Sequence, residues 1–220
     1  MTISRALRRK RWSRKVATKY AQERSIPLRL LWRARQKTWD IDQLVCVDES
    51  ACNERTGDRK YGWSLANVAA LARYPVRRSE RWSILPALTH EGYMAYRIHQ
   101  GSITAELFED FLENDILPNC TPYPGPRSII IMDNATIHRS DRVQELCAMA
   151  GVLLEYLPPY SPDFNPIEQS FSVLKTWIRR HGEEAVLYDD FADFLSYAIE
   201  QSCMDDCVGF LRRSGYLEWD

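Results

Sequence analysis

Two short apolar runs that each end in aspartate constrain the fold more than anything else in the chain. Ile129-Ile130-Ile131-Met132 stops at Asp133, and Leu44-Val45-Cys46-Val47 stops at Asp48. An unbroken apolar run, without the alternation of a half-exposed strand, is the pattern of a strand buried on both faces. Open α/β sheets collect their chemistry at the carboxyl ends of such strands, so both acids are candidates for a site. Glu49 rivals Asp48, because neighbours on a strand point to opposite faces.

A third acid follows a rigid loop. Leu157-Pro158-Pro159-Tyr160-Ser161-Pro162-Asp163-Phe164-Asn165-Pro166-Ile167-Glu168 contains four prolines. Asn165-Pro166 reads as an N-cap followed by proline at the first helical position, which puts Glu168 in the first turn of a helix. Two readings of Glu168 remain open on local sequence: a capping box reaching back to Asn165, or a carboxylate sharing a site with Asp48 and Asp133. Three carboxylates suit Mg²⁺ or Mn²⁺, which take oxygen ligands and keep positions for water and phosphate. Two such ions would serve the attacking and leaving oxygens of a phosphodiester.

The rest of the chain supplies a frame for these pieces. Arg81–Leu88 and Tyr93–His99 read as a hairpin, and 152–156 as a further strand, so that with the two Asp-ended runs five strands are expected. Thr104–Leu117 is amphipathic, with Leu107, Phe108, Phe111, Leu112 and Ile116 on one face, and Pro118 ends it. Ser140–Ala150 reads as a helix stopped by Gly151. The helix after Glu168 is expected to bury Ile167, Phe171, Leu174 and Ile178, while Glu168, Ser172, Lys175 and Arg179 follow a second line. Asp189–Ser202 and Cys207–Arg213 are expected to be helices packed on the sheet.

Asp48-Glu49-Ser50, Tyr61-Gly62-Trp63-Ser64, Met132-Asp133-Asn134-Ala135-Thr136-Ile137-His138 and Leu157 to Glu168, followed by Phe171 and Lys175, resemble the catalytic domain of the mariner superfamily of DDE transposases. Asp133 and Glu168 lie 35 positions apart, which matches that superfamily, and the resemblance runs from about Val45 to Arg180. It implies an α/β fold, an RNase H-like mixed five-stranded sheet with helices on both faces, preceded by a short basic helical extension. It also implies Asp48, Asp133 and Glu168 as catalytic metal ligands, with Mg²⁺ or Mn²⁺, in two ions, as cofactor. The reaction would be phosphodiester hydrolysis at transposon ends followed by strand transfer. Asn134, His138 and Asn165 would support the ligands; His138 is expected to hold its loop rather than bind metal. Relatives carry a short strand at the Gly62-Trp63 pair, with a packing role expected here.

Charge separates the chain sharply. Residues 1–39 hold thirteen Lys or Arg against the single acid Glu23, a net of +12 that leaves −13 on the remainder. A basic arm beside an acidic body suits a polyanionic partner. Arg8, Arg9, Lys10, Arg11, Arg14 and Lys15 form the densest run, suited to phosphate contact or nuclear import; Lys175 and Arg179 are further candidates for the DNA backbone. Periodicity in this arm is thin, and Pro27 interrupts it. Relatives place paired helix-turn-helix modules before the catalytic domain, and this stretch is too short for two. The expected organisation is therefore a DNA-binding remnant or linker over 1–40, a catalytic domain over 41–182 and packed helices over 183–220. DNA is the expected partner and a homodimer is admitted; no apolar run is long enough to span a membrane. The nucleus is expected in a eukaryote, the cytoplasm otherwise. Six cysteines without paired spacing read as reduced thiols. The alternative function is a catalytically silent, transposase-derived DNA-binding protein.

Overall fold

The computed structural model describes residues 3–13, 23–58, 63–71, 80–202 and 207–218. In chain order the elements are α1 (Ile3–Arg9), α2 (Ile26–Gln36), β1 (Leu44–Val47), β2 (Ser50–Cys52), β3 (Trp82–Thr89), β4 (Gly92–Gln100), α3 (Ala105–Phe111), β5 (Ile129–Met132), α4 (Asp141–Met149), β6 (Leu153–Tyr156), α5 (Ile167–His181), α6 (Phe191–Gln201) and α7 (Cys207–Arg213).

The strands form one mixed sheet. β1 lies between β3, which runs antiparallel to it, and β5, which runs parallel; β6 continues parallel beyond β5, and β4 pairs antiparallel with the far edge of β3. The expected count of five strands is corrected to six. The additional segment is β2, which meets the same edge of β3 as β1 in one unbroken register: Cys46↔Leu88 and Val47↔Ala87 continue as Ser50↔Ile84 and Cys52↔Trp82. β1 and β2 are thus one line of chain interrupted at Asp48-Glu49. The interruption falls level with Pro86, a residue that has no N–H to give to a ladder.

Helices cover both faces. Val45, Val47, Ile130 and Met132 pack with Phe108, Phe111, Val143 and Leu146, which brings α3 and α4 to one face. Leu44, Cys46, Ile129 and Ile131 pack on the other with Ile167 and Phe171 of α5, Phe210 and Leu211 of α7, and Trp32 of α2. A third cluster joins Ile84 to Leu174 and Ile178 of α5 and to Phe194, Leu195 and Ala198 of α6. The five described cysteines are free.

Several expectations change in detail. The helix begun by Thr104, whose Oγ1 accepts from Leu107 N–H at 3.3 Å, is α-helical only to Phe111; Leu112–Ile116 is a π-helical turn and Leu117–Asn119 a 3-10 turn holding Pro118. Pro118 lacks the N–H that a continuing helix needs. Pro27 does not interrupt a helix: it lies in the first turn of α2, where the missing N–H has no intrahelical partner to lose. Trp63 belongs to no strand and is fully exposed, so its expected packing role is not met; Tyr61 and Gly62 lie outside the described residues.

α2 docks through one face only. Trp32 is 4% exposed and meets Trp39 edge-on, with ring centroids 5.5 Å apart, whereas Leu31 is 63% exposed. Trp32→Ala is expected to cost about 3–5 kcal/mol of unfolding free energy in a urea titration, and Leu31→Ala less than about 0.5 kcal/mol. Equal losses would mean that α2 does not dock by this face.

Candidate active site

The β1–β5 register builds the first half of the site. Leu44↔Ile129, Val45↔Ile130 and Cys46↔Ile131 are parallel partners, and the same offset continued two places sets Asp48 level with Asp133. Adjacent strands lie about 4.8 Å apart. Alternation then decides the face: Asp48 has the parity of Leu44 and Cys46, and Asp133 that of Ile129 and Ile131, all of which pack towards α5. Glu49 takes the opposite parity and does not line the cleft.

Glu168 comes from α5 on that face. No capping box forms: the Asn165 N–H to which Glu168 would reach back donates instead to the Pro162 carbonyl at 2.9 Å, and the Asn165 side chain has partners of its own. Its Nδ2 donates to Asp48 Oδ2 at 3.1 Å while its Oδ1 accepts from Ile167 N–H at 3.4 Å, so one buried side chain joins the first acid to the start of the helix bearing the third. Asn134 does similar work at the other end of the loop, donating from Nδ2 to the Leu157 carbonyl. Asp48, Asp133 and Glu168 all line one cleft of about 500 Å³, with Asn134, Tyr160 and Asn165 and the prolines of the loop.

His138 orients Asp133. A carboxylate only accepts, so the 2.7 Å contact assigns the proton to His138 Nδ1, which donates to Asp133 Oδ1. The same oxygen accepts from Ala135 N–H at 2.8 Å, leaving Oδ2 for a ligand. His138 is buried beneath Phe108, ring centroids 4.4 Å apart. Its carbonyl accepts from Tyr156 Oη at 2.7 Å. Its Nε2 has no hydrogen-bond partner among the described residues; the ring does not line the cleft, and its contacts are to the loop and Asp133.

The acids differ in charge state. Burial first, then the Asp133 carboxylate and more weakly Glu168, push the Asp48 carboxyl up to about 7, against the Glu49 amide and His138. Burial also raises Asp133, but the His138 and Ala135 bonds outweigh it and hold it below the ordinary value. Glu168 is exposed and is raised by what burial it has, with Lys175 opposing and Asp133 adding to the rise. Among the described residues no three His, Cys, Asp or Glu side chains stand close enough to grip one ion; the three acids share a cleft without converging at a point. What they offer is hard oxygen and unrelieved like charge, which fits a divalent cation better than a soft one.

The basic candidates lie elsewhere. Arg8, Arg9, Lys10 and Arg11 are exposed at and beyond the end of α1, Arg14 and Lys15 lie outside the described residues, and Lys175 and Arg179 sit along α5; none lines the cleft. Reasoning from sequence missed Pro86, although proline within a strand is a signal, and it missed the partners of Asp163, for which no local signal exists.

Comparison with known proteins gives a consistent picture. The family model described as DDE superfamily endonuclease matches residues 43–187. No curated protein matches the sequence significantly. Among solved structures, the Mos1 transposase paired-end complex with left transposon end is similar at 18% identity, over 97% of this chain and 70% of that one, with a TM-score of 0.62. The catalytic domain of Mos1 mariner transposase is similar at 14% identity, over 91% of each chain, with a TM-score of 0.60. The Mos1 paired end complex with Mg reaches a TM-score of 0.65 at 17% identity, over 96% of this chain and 65% of that one. At such identities the likeness establishes the RNase H-like fold.

The charge states carry a pH signature. The Asp48 carboxyl has a higher value folded than its unfolded value near 3.9, so its contribution to metal-free stability is full below about pH 4 and is lost as the pH rises through about 7. Asp133, held low, works in the opposite sense, contributing above its unfolded value and losing that contribution on acidification. Carboxyl NMR titration without metal is expected to find Asp48 with a midpoint near 7, and Asp133→Asn, which removes a like charge, is expected to lower it. A wild-type midpoint near 4 would contradict this electrostatic account.

Proposed function

Since this chain belongs to the DDE superfamily endonucleases, we propose that it hydrolyses phosphodiester bonds of DNA at transposon ends and joins the freed 3′-hydroxyl to target DNA. One observation carries the reading: two strand-end aspartates stand level on adjacent strands, on the face where α5 presents a third acid to the same cleft. Mos1 complexes with a transposon end, with Mn and with Mg support DNA as substrate and divalent ions as cofactor.

Asp48, Asp133 and Glu168 would hold the ions, Mg²⁺ or Mn²⁺ and two in number, which when bound supply Lewis-acid activation of the attacking oxygen and neutralise charge on the leaving oxygen. The chain's own residues prepare this. His138 and Ala135 keep Asp133 ionised and fix which of its oxygens is engaged. Asn165 keeps Asp48 facing the cleft. Glu168, exposed at the start of α5 and lining the same cleft, would complete the set. The nucleophile is water in hydrolysis and the DNA 3′-hydroxyl in joining, so no side chain forms a covalent intermediate. Arg8, Arg9, Lys10, Arg11, Arg14 and Lys15, with Lys175 and Arg179, would contact phosphates, which makes binding steeply salt-dependent. A homodimer holding two ends, and a nuclear location in a eukaryotic cell, complete the proposal.

A second reading, a DNA-binding protein without activity, draws on the three acids not converging. One assay separates the two. Purified protein with Mn²⁺ is expected to nick plasmid DNA, and Asp133→Ala and Glu168→Gln to slow nicking roughly a thousandfold, the equivalent of several kcal/mol of charge stabilisation, with unchanged circular dichroism. Equal nicking by wild type and both variants would refute the assignment of the acids, and DNA binding without nicking by wild type would favour the second reading.

A further inference from the structure

The loop over 157–166 forms a wall of the cleft and ends in the side chain that holds Asp48, and among the described residues only its first residue is tied to a strand. Its first amide donates to the Met132 carbonyl at 2.9 Å; further along, Phe164 N–H reaches Ser161 O at 3.0 Å and Asn165 N–H reaches Pro162 O at 2.9 Å. Tyr160 adopts φ +53, a left-handed conformation that a non-glycine residue holds only when its surroundings impose it. Further contacts reach the loop from outside it. Asp163 accepts from Arg24 at 2.5 Å and, through both oxygens, from Arg29 at 3.1 and 2.7 Å. The same Arg29 guanidinium lies 3.9 Å from the centre of the Phe164 ring, and Tyr216 Oη donates to the Phe164 carbonyl at 3.0 Å. α2, which carries Arg29, is itself anchored: Trp32 is buried in the core and Arg35 pairs with the buried Glu155 of β6.

Exposed ion pairs hold little, and Asp163 is itself half exposed, but its partners are largely buried and held. The Arg24 and Arg29 side chains are 17% and 14% exposed, the Arg29 fork is bidentate, and ring stacking restricts the same guanidinium. Asp163 is two residues from Asn165, so the position of the fork is passed by a short, proline-bounded segment to the contact on Asp48.

We propose that Asp163 and Arg29, helped by Arg24, are positioning residues of the active site: α2 is a strut that holds the proline loop so that Asn165 keeps its grip on Asp48 and α5 begins where Glu168 meets the cleft. The proposal rests on the reading of these acids as ion-holding groups. It differs from a merely stabilising ion pair in one respect, that the folded variants bind metal less well.

The 220-residue wild-type chain, Asp163→Asn, Asp163→Glu, Arg29→Gln and the double variant Asp163→Asn/Arg29→Gln test it, each checked for folding by its melting curve. Amide hydrogen exchange over 157–168 is followed without metal, and Mn²⁺ affinity by calorimetry. Asp163→Asn and Arg29→Gln are expected to speed exchange in this segment and to weaken Mn²⁺ binding about tenfold, the low end of what removing ligand-orienting groups does. Asp163→Glu, which keeps the charge, is expected to bind within about threefold of wild type, and the double variant no worse than either single one, since both remove one interaction. Mn²⁺ affinity unchanged in a folded Asp163→Asn or Arg29→Gln, or losses that add in the double variant, would overturn the strut. Wild type that binds no Mn²⁺ would instead overturn the metal reading, and the strut would stand or fall on exchange: unchanged exchange in folded Asp163→Asn removes it.

Discussion

The parallel pairing of β1 with β5 is the constraint on which the site depends. Because the offset between Cys46 and Ile131 also relates Asp48 to Asp133, the hydrogen-bond ladder that forms the centre of the sheet sets two carboxylates side by side. A slip of one residue would send one of them to the opposite face. The apolar residues behind them prevent the slip: Val45, Val47, Ile130 and Met132 on one side, and Leu44, Cys46, Ile129 and Ile131 on the other, are all buried. The electrostatic discomfort of two neighbouring acids is thus held in place by packing that has nothing to do with charge.

That discomfort is distributed unevenly. Asp133 receives two donors on one oxygen and stays ionised; Asp48, more deeply placed and with Asp133 beside it, is driven to hold its proton. Environment, not residue type, separates them. The break between β1 and β2 belongs to the same arrangement. At the level of Pro86 the antiparallel ladder lapses for Asp48 and Glu49, then resumes in the same register at Ser50, so a strand that would have run through the site pauses there.

Polar side chains then tie the loops to this centre. Asn134 binds the start of the proline loop, Asn165 binds Asp48 at its end, and His138 fastens the turn after β5 to Asp133. The two asparagines bridge segments distant in sequence and His138 closes a local turn, so the site is one connected network. The basic arm takes part as well. Arg24, Arg29, Arg35 and Lys37 read in sequence as charge for a polyanion, yet in the fold they pair with Asp163, Glu155 and Glu218. Charge counting could not separate them from Arg8 to Arg11, because a run of arginine carries no mark of which acid, more than a hundred positions away, will meet it.

Taken alone, the sequence determined the local elements: the apolar runs ending in Asp48 and Asp133, the hairpin, the Ser140-capped helix, the buried stripe of α5 and the proline loop leading to Glu168. These follow from hydrophobic periodicity and from proline and cap chemistry, which act over a few residues. Tertiary structure alone decided how those pieces answer one another. It chose between cap and cleft for Glu168 by committing the Asn165 amide to the Pro162 carbonyl, excluded Glu49 by strand parity, resumed the ladder as an unforeseen β2 beyond Pro86, and turned Arg24 and Arg29 inward to Asp163. Those outcomes depend on register and on contacts between residues far apart in the chain, and such contacts exist only once the sheet has formed.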